Sequence, residues 1–299
     1  MAENVKKAII TGGTGYIGSS LTRQLVKQGW EIGIIKRPNS GLDKLESFKD
    51  DLEFFDYNGS TESLKQAMET FHPDIVFHLA SCFIGRHKTD QIEDLIHSNV
   101  LFGTQLLEAM QLSSVVKIIN ASTSWQTVGG MEYNPFSLYT STKQAFEDIL
   151  HFYTNTYGIK AISLRLPDSY GADDTRAKIL NLVRKATQSG EQLKMSGGEQ
   201  EMDLLYINDI VDGFIKASEL LEEGQRFNVN SLSSRKPMPL KKIVEMYETV
   251  NNVSVNIEWG ALPYRDNEIM KITLPDNVLP QWESKVPLEE GLRKFELDK

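Results

Sequence analysis

Cysteine is almost missing from this 299-residue chain, with Cys82 standing alone; an intrachain disulfide and a cysteine-cluster metal site are thereby excluded. Long apolar stretches are missing too. No run of 18 apolar residues occurs, which argues against a membrane-spanning helix. The segment MAENVKKAII has no secretory apolar core followed by a small-residue cleavage site, and the expected compartment is the cytoplasm. Basic charge is in deficit, 32 Lys and Arg against 41 Asp and Glu, for a formal charge of −9. That balance opposes nucleic acid and acidic membrane surfaces as partners. A phosphorylated small molecule stays compatible, because a helix N-terminus or a few placed Arg or Lys bind phosphate locally. Repeats and low-complexity tracts are absent as well. What is present, 40% hydrophobic and 24% charged residues, suits one large α/β domain or two smaller units around a substantial core, and excludes disorder and collagen.

Short apolar runs alternate with amphipathic stretches in the first half. VKKAII (5–10) reads as a β-branched strand before a glycine-rich turn, and 16–28 as a helix with Ile17, Leu21 and Leu25 on one face. EIGIIK (31–36), LEFF (52–55), DIVFHLA (74–80), VVKIINA (115–121) and KAISLRL (160–166) read as further strands, with helices near 61–71, 91–112 and 140–157. This alternation predicts a parallel sheet covered by helices through right-handed crossovers. After Arg165 the pattern loosens: a helix is expected at 178–189, a returning strand at FNVN (227–230) and a helix at 239–250. The tail, with Pro263, Pro275, Pro280 and Pro287, reads as short broken pieces. Residues 1–166 plus about 204–232 are expected to form the dinucleotide-binding domain. About 167–203 and 233–299 are expected to form a smaller, partly discontinuous substrate-binding lobe.

Between the first strand and first helix stands TGGTGYIG, with glycines at 12, 15 and 18. Gly12 permits the tight turn, Gly15 lets a pyrophosphate approach the backbone, and Gly18 lets the helix pack closely. An Asp or Glu at the end of the second strand would accept from a ribose 2′-hydroxyl, but the stretch there is Ile35-Lys36-Arg37. Two cations pair with a 2′-phosphate, so NADP(H) is expected over NAD(H); the alternative is a solvated charge pair at a strand end. Asp56 in FFDYNG is a candidate acceptor for the adenine amino group or a plain turn carboxylate. His78-Leu79-Ala80-Ser81 ends the fourth strand beside the expected cleft, where small residues permit close approach and His78 could be a core histidine.

Tyr139 and Lys143 stand four residues apart, on one face of a helix. A lysine charge favours tyrosinate and is expected to lower the Tyr139 pKa from ~10 toward operating pH. The strand over 115–121 ends in Ala121-Ser122-Thr123-Ser124, at the carboxyl edge where ligands bind in parallel sheets. Thr123 is the first candidate to hydrogen-bond a reacting carbonyl oxygen and Ser124 the second; a turn cap is the alternative role.

These segments together resemble the extended short-chain dehydrogenase/reductase family. TGGTGYIG, Asp56, HLAS, Asn99-Val100, ASTS, YTSTK, RLPDSYG, LLYINDIVDGF and FNVNS follow the family's order over nearly the whole chain. The resemblance implies an α/β, Rossmann-type doubly wound sheet, with Tyr139 as acid/base, Lys143 holding the nicotinamide ribose and Thr123 supplying a hydroxyl. It adds Thr14, Tyr16, Ile17, Tyr57, Leu79, Ala80, Ser81 and Asn99 to the cofactor-binding candidates. It also implies a homodimer through the helices near 91–112 and 140–157. LYTSTKQAFEDIL, LPDSYGADDTRAKI, MSGGEQEMDLLYIND and LPYRDNE are most similar to the nucleotide-sugar branch, in particular reductases of the CDP-abequose and CDP-paratose synthase type.

That similarity implies NADPH-dependent reduction of the C4 keto group of a 4-keto-6-deoxy sugar, with Tyr139 protonating the alkoxide. Trp125, Gln126, Asp168, Arg176, Lys178 and Arg265 are the substrate-binding candidates, each with a plainer role as core residue or surface ion pair. Met202 stands where many members carry an Arg, shifting the diphosphate role toward Arg265 and Arg176. Asp168 replaces a common Asn, and Asn208-Asp209 a frequent carboxylate pair. Ser124-Trp125 replaces the Asp-Glu pair of the dehydratases, which disfavours dehydration. The alternatives are a nucleotide-sugar 4-epimerase retaining NAD and a non-catalytic NADP-sensing protein of the same fold.

Overall fold

The structure, a computed structural model, describes residues 5–224 and 226–297. Its elements run β1 (Lys7–Thr11), α1 (Tyr16–Lys27), β2 (Glu31–Lys36), β3 (Leu52–Asp56), α2 (Thr61–Phe71), β4 (Ile75–His78), α3 (Ile92–Ile96), α4 (Phe102–Leu112), β5 (Lys117–Thr123), α5 (Leu138–Tyr157) and β6 (Lys160–Leu166). Next come β7 (Asp168–Tyr170), α6 (Ile179–Ser189), β8 (Leu193–Met195), β9 (Glu201–Met202), β10 (Leu204–Tyr206), α7 (Ile207–Glu222) and β11 (Phe227–Ser231). The chain closes with β12 (Met238–Pro239), α8 (Leu240–Asn251), β13 (Ile257–Trp259) and α9 (Leu288–Leu297).

Seven strands form one parallel sheet in the order β11-β6-β5-β4-β1-β2-β3, the Rossmann-type doubly wound arrangement expected. Order reverses beside β1, which opens a crevice at the carboxyl edge between β1 and β4. Strand side chains alternate between two cores: Ala8 and Ile10 join the layer under α1 and α7, Ile9 the layer under α2, α4 and α5. Both faces are covered, which is why these strands read as continuous apolar runs. Three two-stranded pairings, β7 with β10, β8 with β13 and β9 with β12, build the region above the carboxyl edge.

Three departures from the sequence expectation have local causes. The helix expected at 91–112 is α3 and α4 joined by a π-helical turn at His97–Leu101; the extra residue turns Asn99 toward α5. α7 was not expected, although Ile207, Ile210, Val211, Phe214, Ala217 and Leu221 share a buried face at helical spacing. α9 was hidden by the proline-rich tail, yet Pro287 stands just before it, where a fixed φ suits a helix start, and Leu292 and Phe295 bury into the core. No described helix is long and apolar enough to cross a membrane.

Candidate active site

The turn after β1 leaves no room for a Cβ at Gly12 or Gly18. Gly12 has φ +72°, and a Cβ there would stand 2.6 Å from the Ala80 nitrogen; at Gly18 it would stand 2.1 Å from the Gly12 carbonyl oxygen. Gly15 caps α1 without a side-chain hydrogen bond, and no acidic residue occupies the first turn. The first amides of α1 thus form a donor set for an anion. A cavity of about 490 Å³ runs from Gly12, Gly15, Tyr16, Ile17 and Gly18 past Leu79 and Ser81 to Thr123, Tyr139 and Lys143. The tight glycine turn, the uncapped helix and this cavity fit a nicotinamide dinucleotide.

Thr123 ends β5, and its Oγ1 also accepts from the Trp125 amide at 3.4 Å, so cavity lining and turn capping coexist. Tyr139 and Lys143 are one turn apart on α5. That helix starts on a reciprocal cap, with the Thr140 amide donating to Ser137 Oγ at 3.3 Å and the Ser137 amide to Thr140 Oγ1 at 2.8 Å. The expected lowering of the Tyr139 pKa is corrected. Burial pushes the phenol above its ordinary value, with Ser81 pulling the other way. Burial also lowers Lys143 to about 8, opposed by Glu147. Loss of water penalises tyrosinate and ammonium alike, and that penalty dominates.

Trp125, Asp168, Arg176 and Lys178 line the same cavity. The Arg176 guanidinium is held by Asp174 at 2.7 Å and by Ser169, and lies 4.4 Å over the Tyr16 ring. Lys178 pairs with Asp168 at 2.8 Å. Trp125, Pro167 and Asp168 also line a second cavity of about 340 Å³, and Ser124 faces that one instead of the first.

Other candidates are placed elsewhere. Gln126 was expected to line the sugar pocket; it is completely buried, its amide turned inward to Ser122, Thr123, Gln144 and Glu147. Asn99 was expected to touch the cofactor. Its Oδ1 accepts from Ser81 Oγ and the Cys82 amide, and its Nδ2 donates to the Cys82 carbonyl and Thr142 Oγ1, which uses its full hydrogen-bonding capacity. Lys36 and Asp56, adjacent in the β2–β3 register, pair with each other at 2.6 Å. Arg37 is exposed, and its charge acts on Cys82. Tyr57 bonds Gln105 and packs on Phe102. The Ala80 amide donates to Thr11 Oγ1 at 3.3 Å, and Thr14 is half-buried outside the cavity lining. Arg265 lines a separate pocket of about 310 Å³ with Arg86, His87 and Asn267. His78 is a buried core histidine, 2.7 Å from Thr11 Oγ1 and lowered to about 3 by burial and then by Lys143.

Sequence reasoning passed over Phe83, whose ring stands edge-on to Tyr139 at 5.0 Å with Lys178 Nζ 4.8 Å over its face. It also passed over Glu147, visible only as a carboxylate four residues after Lys143. Arg86 and His87 carried no spacing signal at all.

CDP-abequose synthase of Salmonella muenchen is 28% identical over 297 residues, covering 97% of both chains. The UDP-glucose 4-epimerase of Thermotoga maritima, solved with UDP-glucose, superposes with a TM-score of 0.84 at 23% identity over 97% of each chain. The UDP-glucose 4-epimerase of Thermus thermophilus, solved with NAD, does so with 0.81 at 21% identity, again over 97% of each. The two structural likenesses carry the fold, and a family model matches residues 8–230: the chain belongs to the NAD dependent epimerase/dehydratase family, the extended short-chain dehydrogenases/reductases.

Proposed function

We propose that this chain is an NADP(H)-dependent reductase of the C4 keto group of a nucleotide-activated 4-keto-6-deoxy sugar. The observation that carries the reading is the meeting of the glycine turn, Thr123, Tyr139 and Lys143 on one cavity; the 28% identity to CDP-abequose synthase over 97% of both chains supports the substrate class. The reduced nicotinamide, when bound, supplies the hydride. Tyr139 keeps its proton through the neutral range because burial raises its pKa, and so acts as donor to the C4 oxygen. Thr123 Oγ1 orients that oxygen. Lys143, largely ammonium below about 8, stabilises the tyrosinate that donation leaves. Trp125, Asp168 and Lys178 bound the sugar side, and Arg265 with Arg86 offers cations for the diphosphate. The preference for NADP(H) rests on exposed Arg37 and the absence of a carboxylate at the end of β2.

In the proposed division, residues 1–166 with about 204–232 hold the cofactor, and about 167–203 and 233–299 the nucleotide sugar. A homodimer through the helices near 91–112 and 140–157 would cover Ile92, Ile96, Leu101, Phe152 and Tyr157, all exposed in the single chain. CDP-, UDP-, dTDP- and GDP-4-keto-6-deoxy sugars, each offered with NADPH, test the reaction. Stoichiometric NADPH loss and a C4 alcohol by NMR are expected; isomerisation without net NADPH loss would replace reduction with epimerisation. Tyr139→Phe should retain NADPH binding and lose about 10²–10⁴-fold in turnover. Unchanged turnover would remove Tyr139 from the chemistry.

A further inference from the structure

Beneath the cavity, buried polar groups join β5, β6 and α5 in one cluster. Gln126 Oε1 accepts from the Ser122 hydroxyl and from the Thr123 amide at 3.1 Å, while Nε2 donates to Gln144 Oε1 and Glu147 Oε2 at 3.0 Å each. The Glu147 carboxylate also accepts from Ser163 Oγ and Arg165 Nη2, both at 2.9 Å. Gln126 has no exposure and Glu147 only 3%. A buried carboxylate is costly unless paired and hydrogen-bonded, and this one sits one helical turn from Lys143.

We infer that Gln126 and Glu147 are positioning residues: Gln126 fixes the end of β5 that presents Thr123, and Glu147 supplies a fixed counter-charge one turn from Lys143. The inference rests on Thr123, Tyr139 and Lys143 being the reacting groups. Of the ionisable groups, Glu147 on α5 and His78 on β4 interact with Lys143, and Tyr139 on α5 shares its cavity; β5 brings uncharged Ser122, and Arg165 on β6 is held by Glu147. His78 stays neutral above about 3. Glu147 acts to raise Lys143 against the lowering by burial.

Titration of isotope-labelled lysine by NMR tests this without substrate, with the Lys143 resonance assigned by its loss in Lys143→Met. Glu147→Gln is expected to lower the Lys143 midpoint by about one pH unit or more; an unchanged midpoint overturns the inference. Gln126→Leu removes four hydrogen bonds and no charge. It is expected to cut kcat about tenfold or more at unchanged Kd for NADPH, because Thr123 loses its registration. Wild-type kcat, or a loss confined to Kd, overturns the Gln126 role. Should Glu147→Gln not fold, Glu147→Asp, which draws the carboxylate back by one methylene, takes its place in the lysine titration: a lowered Lys143 midpoint is expected, and an unchanged one overturns the Glu147 role. A wild-type protein inactive on every nucleotide sugar would sink the ketoreductase reading, and the lysine titration would still decide the role of Glu147.

Discussion

Gly18→Ala tests the cofactor turn through a single methyl group. The new Cβ would stand 2.1 Å from the Gly12 oxygen, 2.7 Å from the Gly12 carbonyl carbon and 2.9 Å from Gly13 Cα. All three are backbone atoms, so no rotamer change relieves the overlap. α1 must withdraw by about 1 Å, as overpacking forces backbone shifts. Helix propensity alone favours alanine by about 1 kcal/mol, and overpacking costs about 1–3 kcal/mol. With the overlap falling on backbone, the expected net is a destabilisation of about 2 kcal/mol at the upper end of that range. Withdrawal also parts the α1 amides from the Gly12 turn, and affinity for the reduced dinucleotide should fall about tenfold, or 1.4 kcal/mol. Gly29→Ala is the control: φ is +81° with open space around the Cβ, so it should cost about 1–2 kcal/mol of backbone strain and leave affinity unchanged. Urea unfolding and fluorescence titration with NADPH read both quantities. A Gly18→Ala protein stabilised by about 1 kcal/mol, with wild-type affinity, would refute the close approach.

Arg37→Glu should weaken NADPH more than NADH, and an unchanged affinity ratio would remove Arg37 from the 2′-phosphate. His78 stays neutral in the fold down to about 3, whereas the unfolded residue takes a proton near ~6.5. The unfolded state thus binds the extra proton between those values, and stability present above ~6.5 is lost as pH falls, at about 1.4 kcal/mol per pH unit. Urea midpoints across that window should flatten in His78→Asn, and a wild-type slope would count against this. Asp209 accepts the Lys285 and Val286 amides at 3.1 Å each. Asp209→Ala should cost about 2–3 kcal/mol and open the 283–287 segment to proteolysis; unchanged cleavage would show that these contacts do not hold the tail.

The glycine turn and the strand–helix alternation were legible because they rest on short-range chemistry: β-branched runs, periodic apolar faces and residues that tolerate tight turns. Tyr139 and Lys143 were legible for the same reason, being one helical turn apart. What escaped depends on contacts across elements. Lys36 and Asp56 lie twenty residues apart, and only the β2–β3 register makes them partners. Gln126 follows two residues that face cavities, but a short 3₁₀ turn over Ser124–Gln126 rotates its amide into the interior. Asn99 depends on a π-helical turn that no apolar spacing announces.

The small pairings above the sheet constrain how this chain is made and altered. β8 pairs with β13 and β9 with β12, so each pair takes one strand from before β11 and one from after it. During synthesis, 193–202 waits without its partners until 238–259 has been made, so this region closes after the main sheet has its seventh strand. Recombination with a relative at a single junction between these stretches would split both pairs. A new substrate preference in this scaffold is therefore reached by individual substitutions around the cleft rather than by exchanging one continuous segment.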